Sequence, residues 1–331
     1  MKNFIVFILS SSLLLLFLTS CSSIEVMSAK VSGSIFKKAS LEIENEKNLS
    51  IFKEATPAHL KLMEGLLYLY PQEMDLLSTL TKSYTAYALL ADESDLIEYE
   101  LTQGPKFNEK KEAAIKNYSK ALTYGLRYLE LKNIVFSDLM KNSNDLNKML
   151  ELLTNNLNVE DENGDIELVF FLAQSMGGLI NLQKNKPEFL SMLPIVKTLF
   201  DWVCVKKPNF YNGGCDLFYG VYEMGRPPML GGNPEKGKAY FLKAIKENPQ
   251  NLFIRAMFLQ YYYWRMNDED GFKIEIAKLE SELVKFEQQT KWTPTKEIEK
   301  FVPDFDSRLN LFNSVAQKRF EIFKRNEKTV F

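Results

Sequence analysis

Apolar residues recur along most of this chain at spacings of three and four, the period of an α-helix that buries one face. Leu60, Met63, Leu66 and Leu67 form one such stripe, and Leu76, Leu77, Leu80, Tyr84, Tyr87 and Ala88 form the next. Pro71 stands between them. Proline lacks a backbone donor and clashes with the preceding turn, so a new helix is expected to start near Gln72. The same reading predicts helices over 109–132, 145–154, 165–184, 188–204, 209–225, 234–247, 250–267, 269–287 and 306–325. Turn formers gather around Gln103 to Pro105, Asn155 to Asn163 and Lys184 to Pro187. No run shows the two-residue alternation of a half-buried strand, so the expected fold class is all-α.

The helices carry a repeat. Tetratricopeptide repeats place a small residue, an aromatic four later, an alanine three after that and a proline five further on; Gly237, Phe241, Ala244 and Pro249 fill all four places. The small residues let paired helices approach closely, while the aromatic fills the gap to the next pair. Ala114, Tyr118 and Ala121 keep the spacing, with Leu126 in place of proline. Pro208 to Pro249 spans 41 residues, seven more than the usual 34, and the seven-residue segment Arg226 to Gly232 sits where the turn between paired helices belongs. The expected architecture is an α-solenoid of degenerate tetratricopeptide-like hairpins, with a generic helical bundle as its rival.

The first twenty residues follow a different pattern. Lys2 precedes an apolar run from Phe4 to Phe17, broken only by Ser10, Ser11 and Ser12, and Leu18-Thr19-Ser20-Cys21 follows. That is a secretory signal, too short for a permanent span of about 20 apolar residues. Its last four residues match the lipobox of bacterial lipoproteins, making Cys21 the lipidated mature N-terminus. The division expected is a signal peptide over 1–20, a lipid-anchored tether over 21–45 rich in Ser, Lys and Glu, and a helical domain over 46–331.

Composition then narrows the chemistry. Losing Lys2 takes the formal charge from -2 to -3, so nothing argues for nucleic acid. Beyond Cys21 there are two cysteines, Cys204 and Cys215, which are either bridged in an oxidising compartment or a pair of buried thiols. The single histidine, His59, leaves no material for a histidine metal cluster. Gly232 to Ala239 nearly spells a phosphate-binding loop, but Ala239 replaces the magnesium-binding hydroxyl and no strand precedes it. Asp161, Asn163 and Gly164 resemble the middle of a calcium loop, yet Val159 and Phe170 fall where oxygen ligands are required. A solvated turn with Asp165 as a helix cap fits better. The carboxylate pairs Glu93/Asp95 and Asp268/Asp270 lie in polar stretches and read as caps or solvated faces. Cys215, Asp216 and His59 have no spacing that unites them as a nucleophile system. No cofactor, metal or catalytic residue is expected.

Aromatic residues carry more. Tyr211, Phe218, Tyr219 and Tyr222 fall on one predicted helix, and Tyr261, Tyr262, Tyr263 and Trp264 run consecutively on another. Four consecutive rings cover more than one helix face, so some are expected to leave the core and line a concave binding side.

The stretch from Phe170 to Asp270 resembles a known family. Phe170-Phe-Leu-Ala-Gln-Ser-Met-Gly-Gly-Leu-Ile-Asn181, Pro208-Asn-Phe-Tyr-Asn-Gly-Gly214, Leu217-Phe-Tyr-Gly-Val-Tyr222 and Arg226-Pro-Pro-Met-Leu-Gly-Gly232 together are similar to the T component of tetratricopeptide-repeat-associated TRAP transporters. Gly65 to Pro71, Ser83 to Tyr87 and Tyr118 to Arg127 agree, extending the likeness over about 50 to 285. Phe171 and Met176 stand where the family carries tryptophans. The resemblance implies a periplasmic, lipid-anchored homotrimer in the inner or outer membrane. It also implies a partner, the periplasmic solute-binding P component, and a pocket or channel for a small apolar or organic-acid ligand. The expected contact residues are Tyr211, Gly213, Gly214, Phe218, Tyr222, Arg226, Pro227, Pro228, Gly231, Gly232, Tyr261 and Trp264. The rival function is a scaffold lipoprotein that grips peptides during envelope assembly; a lipid-anchored hydrolase lacks its nucleophile, base and orienting group.

Overall fold

A computed structural model describes residues 26–291 and 307–331, apart from the side chains of Glu162 and Asn163. The leader and Cys21 lie outside the described residues. Every regular element among them is helical: α1 (26–44), α2 (Leu49–Leu69), α3 (Met74–Tyr87), α4 (Glu93–Leu101), α5 (Phe107–Leu131), α6 (Phe136–Lys141) and α7 (Leu146–Asn156). Then follow α8 (Glu167–Leu182), α9 (Pro187–Leu190), α10 (Leu193–Lys206), α11 (Gly214–Gly225) and α12 (Pro234–Glu247). The last are α13 (Leu252–Phe258), α14 (Trp264–Met266), α15 (Glu269–Thr290), α16 (Asn310–Arg325) and α17 (Glu327–Val330).

Local chemistry places the boundaries. Asn48, Asp145, Asn233 and Asp268 each turn a side-chain oxygen onto an otherwise unpaired amide at the start of α2, α7, α12 and α15. The expected helix over 188–204 is divided into α9 and α10, because Pro194 occupies the first turn of α10 and cannot continue a helix from before it. The expected helix over 209–225 begins late, at Gly214. Tyr211, Asn212 and Gly213 have φ of 52°, 48° and 91° and make a left-handed turn instead. Part of the stretch expected to be a tether is helix α1, whose Ala29, Ser40 and Glu44 are buried against the body. Helix α4, which polar Glu93 and Asp95 concealed, is a further addition.

Helix α5 packs on α3 and α8, α8 on α3 and α10, and α11 on α12. In the last pair a small residue faces an aromatic one closely. A Cβ on Gly220 would come within 2.9 Å of the Phe241 ring, and Phe241 stacks on Phe258 of α13 with centroids 5.0 Å apart. Ala114, Tyr118 and Ala121 are likewise buried, with the Tyr118 ring seated where a Cβ on Gly178 would be. At the end of the chain α16 folds back onto α2, α4 and α13. Helix α8 with its leading turn, Gly164–Leu182, is long and apolar enough to cross a membrane, but 78% of that window is buried inside the body. Its apolar surface is spent on the core.

Two widened turns interrupt otherwise regular helices. Ala88–Asp92 joins α3 to α4 and Leu259–Tyr263 joins α13 to α14, both as π-helix. Such turns add a residue and shift which side chains face inward. The second of them carries three of the four consecutive aromatics. Tyr261, Tyr262 and Tyr263 are all buried, because neighbours pack around that widened turn on several sides, and only Trp264 is half exposed.

Candidate functional site

The core contains a cavity of about 160 Å³ walled by α8, α10, α11, α13 and α16. An apolar cavity of about 150 Å³ is large enough to hold benzene. Phe170, Phe200, Leu217, Phe218, Val221 and Met257 form its apolar middle. Polar groups lie towards two poles. At one are Glu93, Tyr118, Asn181, Lys184 and Tyr261; at the other are Tyr211 and Asn251, beside the Phe312 ring. The grouping follows from contacts. Tyr118 donates to Glu93 and Asn181 to Tyr261, whereas Asn251 donates to the carbonyl of Asn212, and Tyr211 faces Phe312 at 6.5 Å.

Two of these groups have unused hydrogen-bonding capacity. Asn251 Oδ1 is buried without a partner among the described residues. The Lys184 amine makes no hydrogen bond or ion pair among them. The residue is exposed as a whole, but partial burial, reinforced by nearby Arg265 and opposed by Glu100, lowers its pKa from the usual lysine value. Glu93 is 5% exposed and its carboxyl is pushed upward by burial, with Arg319 and the Tyr118 hydroxyl opposing that rise. Glu93 therefore corrects its expected place on a solvated face. Asp165 was expected at a solvated turn; it is fully buried and accepts from Tyr128 (2.6 Å), Lys132 (3.1 Å) and the Asn158 amide (2.7 Å).

Arg319 is the residue that sequence reasoning missed most completely. It lies on α16, fully buried, in the apolar stripe Leu311, Val315, Ile322. A lone arginine inside such a stripe is the signal that pointed to it. Its guanidinium donates to the Leu89 carbonyl (2.8 Å), Ser94 Oγ (3.0 Å) and Gln260 Oε1 (2.9 Å), and packs over Phe253. Leu89 belongs to one widened turn and Gln260 to the other. One cation thus ties together the two turns that deliver Leu89 and Tyr261 to the cavity wall.

A second buried network supports the opposite pole. Lys82 pairs with Glu44 of α1 (2.6 Å) and Glu167 of α8 (2.9 Å). Burial opposes the charge on Lys82, but the two carboxylates hold its pKa above the usual value. The Tyr211 hydroxyl donates to Glu167 (2.7 Å) and lies 3.0 Å from Glu44. Its ring stacks on Phe170 at 5.5 Å and meets Phe171 edge-on at 5.0 Å. These contacts hold Tyr211 in its left-handed backbone, which costs about 1–2 kcal/mol for a non-glycine residue. Tyr211 and Phe312 also wall a second cavity of about 400 Å³, which Lys206, Lys207 and Arg308 line.

The residues expected to contact ligand divide between wall and exterior. Tyr211, Gly214, Phe218, Tyr222, Arg226 and Tyr261 line the apolar cavity. Gly213, Pro227, Pro228, Gly231, Gly232 and Trp264 do not. Gly213 forms the turn before α11, and Trp264 packs edge-on against Phe323. Pro227, Pro228 and Gly231 are exposed in a compact turn that Arg226 clips shut, donating to the Tyr222 and Leu230 carbonyls and pairing with Glu223 at 2.9 Å. Gly232 is required there, because a Cβ would fall 1.9 Å from the Arg226 carbonyl oxygen.

The remaining candidates resolve locally. Cys204 and Cys215 are disulfide-bonded, with Cα atoms 5.7 Å apart, which joins α10 to α11 and removes Cys215 as a nucleophile. Asp216 pairs with Lys243 at 2.9 Å, and His59 is exposed on α2. No group of His, Cys, Asp and Glu able to hold a metal occurs among the described residues.

No curated protein matches the chain. A family model does, over residues 45–293, a span that includes the widened turns, most of the cavity wall and the clipped Arg226 turn but ends before α16. Its description is TRAP transporter T-component. With well over half of the 331 residues matched, the chain belongs to the TRAP transporter T-component family.

Proposed function

We propose that the protein is a periplasmic, lipid-anchored accessory subunit of a TRAP solute-uptake system that docks the solute-binding P component and holds a small ligand in its apolar cavity. Family membership supports the transport role. The ligand-binding half rests on one observation: an apolar cavity in whose wall the Lys184 amine has no protein partner. Lys184 is exposed in the cavity wall and bonds no carboxylate, although Glu100 acts on it from a distance; its charge favours an anion, so the proposed ligand is an organic acid whose apolar body fills the aromatic middle. Asn251 Oδ1 accepts a donor at the far pole. The route to the site runs from the outer cavity past Tyr211 and Phe312, the two rings that both cavities share. The functional assembly is a homotrimer.

The test has two arms. Purified in mild detergent, the protein retains the P component encoded beside it; failure to retain any solute-binding protein defeats the docking role. Titration with 2-naphthoate, followed by its fluorescence, gives saturable binding that Lys184→Met weakens about tenfold. Equal affinity for 2-naphthoate and neutral naphthalene would remove the organic-acid assignment.

A further inference from the structure

Helix α1 has two unlike faces. Ala29, Gly33, Ser40 and Glu44 are buried, and the helix is fastened to the body by Lys37 with Asp75 (2.7 Å) and Glu44 with Lys82 (2.6 Å). On the outward side Met27, Val31 and Ile35 recur every four residues and are 68%, 53% and 59% exposed. Exposed Lys30 and Lys38 flank them. A stripe of large apolar side chains facing water is costly on a helix already docked through its other face.

The position of this stripe in the chain says what covers it. Met27 is six residues after Cys21, a distance that an extended chain spans in at most about 20 Å. Once Cys21 carries lipid, the start of α1 cannot leave the bilayer surface. The three most exposed apolar positions are those nearest the anchor; farther along, the outward side mixes Lys38 and Glu42 with Leu41, which is 43% exposed. Lys30 also reaches over the ring of Tyr70 at 5.4 Å. This brings the end of α2, where Tyr68 is 85% and Leu69 49% exposed, to the same end of the molecule. Apolar side chains flanked by lysines are the composition of a helix that lies in the interface of an anionic membrane.

We infer that the Met27, Val31 and Ile35 face of α1 docks on the phospholipid surface, so that the lipid anchor and this helix together fix the orientation of the body on the membrane. The inference rests on lipidation of Cys21. Docking through α1 makes the protein a two-point membrane binder: the acylated cysteine holds the N-terminus to the bilayer, and α1 sets how the body lies on it. The fastening of α1 by Lys37 and Glu44 passes the orientation to the cavity-bearing helices.

The experiment uses the full chain, made with its own leader and reconstituted into vesicles of phosphatidylethanolamine and phosphatidylglycerol. Because Cys204 and Cys215 are bridged and a lipidated Cys21 has no free thiol, Val31→Cys, Ile35→Cys and Glu42→Cys each provide a single labelling position for a nitrobenzoxadiazole dye. The expected result is a blue-shifted dye quenched by nitroxide lipids at 31 and 35, with the dye at 42 remaining in water. Replacing Met27 and Val31 with Asp, with the dye at 35, abolishes the quenching while the far-ultraviolet circular dichroism is unchanged. Dye at 31 and 35 as water-exposed as at 42, in protein whose mass shows the lipid, overturns membrane docking and leaves the anchor standing. A blue shift present without vesicles and insensitive to nitroxide lipid overturns it too, and identifies a protein partner or second copy on that face. An N-terminal peptide without lipid defeats the anchor itself, and with it this inference.

Discussion

The two buried charge networks that flank the cavity solve the same problem in opposite ways. At the Tyr211 pole, Lys82 is neutralised directly by Glu44 and Glu167. At the Glu93 pole, Arg319 is solvated by neutral acceptors, the Leu89 carbonyl, Ser94 and Gln260. Glu93 acts on it through space, and burial lowers the Arg319 pKa. A directly paired lysine joins one segment, α1, to a finished core. An arginine with several donors is what can reach a backbone carbonyl of one widened turn and a side-chain oxygen of the other at once. The first network is thus a fastening and the second a constituent of the wall.

Four measurements break or sharpen that contrast. Arg319→Met strips donors from the Leu89 carbonyl and Gln260 and leaves Glu93 without its cation, so it costs about 3–5 kcal/mol in urea unfolding. It also abolishes 2-naphthoate binding, because both turns carry wall residues. Lys82→Met leaves Glu44 and Glu167 facing each other and costs about 3 kcal/mol, less than Arg319→Met because the Tyr211 hydroxyl still donates. If Lys82→Met proves the costlier, the ranking of fastening and wall is reversed. Joint replacement of Cys204 and Cys215 by serine costs about 2–3 kcal/mol, since the bridge closes a short loop that carries Tyr211 of the Lys82 network but leaves the Lys82 ion pairs and the Arg319 network in place.

The smallest effect concerns pH and lies between the two networks. Asp92, in the first widened turn, is raised to about 6, chiefly by burial, although the Asn117 amide opposes the shift. Protonation therefore favours the folded chain. That contribution is fully present below the usual aspartate value of 3.8 and is lost as pH rises through about 6. Asp92→Asn stabilises the protein at pH 7 by about 1 kcal/mol and flattens the melting temperature between pH 4 and pH 6. Glu64 is the opposite case. Burial would raise it, but Lys120, Lys61, Tyr84 and Tyr124 bring it down to about 2, so its contribution is present above its usual 4.5 and is lost as pH falls through about 2.

Sequence pattern reached the helices and some of their close contacts. The close helix contacts were legible at Gly237, Phe241 and Ala244, since small and aromatic residues at helical spacing have one packing solution. Tyr211, Phe218 and Tyr222 stood out as an aromatic group and do line the cavity. What remained hidden depends on contacts distant in the chain. Glu93 looks solvated in Ala91-Asp92-Glu93-Ser94-Asp95, and only Tyr118 and α16 reveal its burial. The three consecutive buried tyrosines defied helical periodicity because a widened turn changes the period locally. Helix α1 was concealed by its own Ser and Lys content, as its helical state depends on docking through Gly33, Ser40 and Glu44.

The return of α16 onto α2 and α4 also sets an order of assembly. Arg319 reaches the Leu89 carbonyl across 230 positions and Gln260 across 59, so the cavity is finished only when these distant contacts close. A chain in which α8, α10 and α11 have packed but α16 has not docked has the aromatic middle without Phe312 and leaves both widened turns without their shared cation. Enclosure is therefore a late product of folding, coupled to the docking of a single helix.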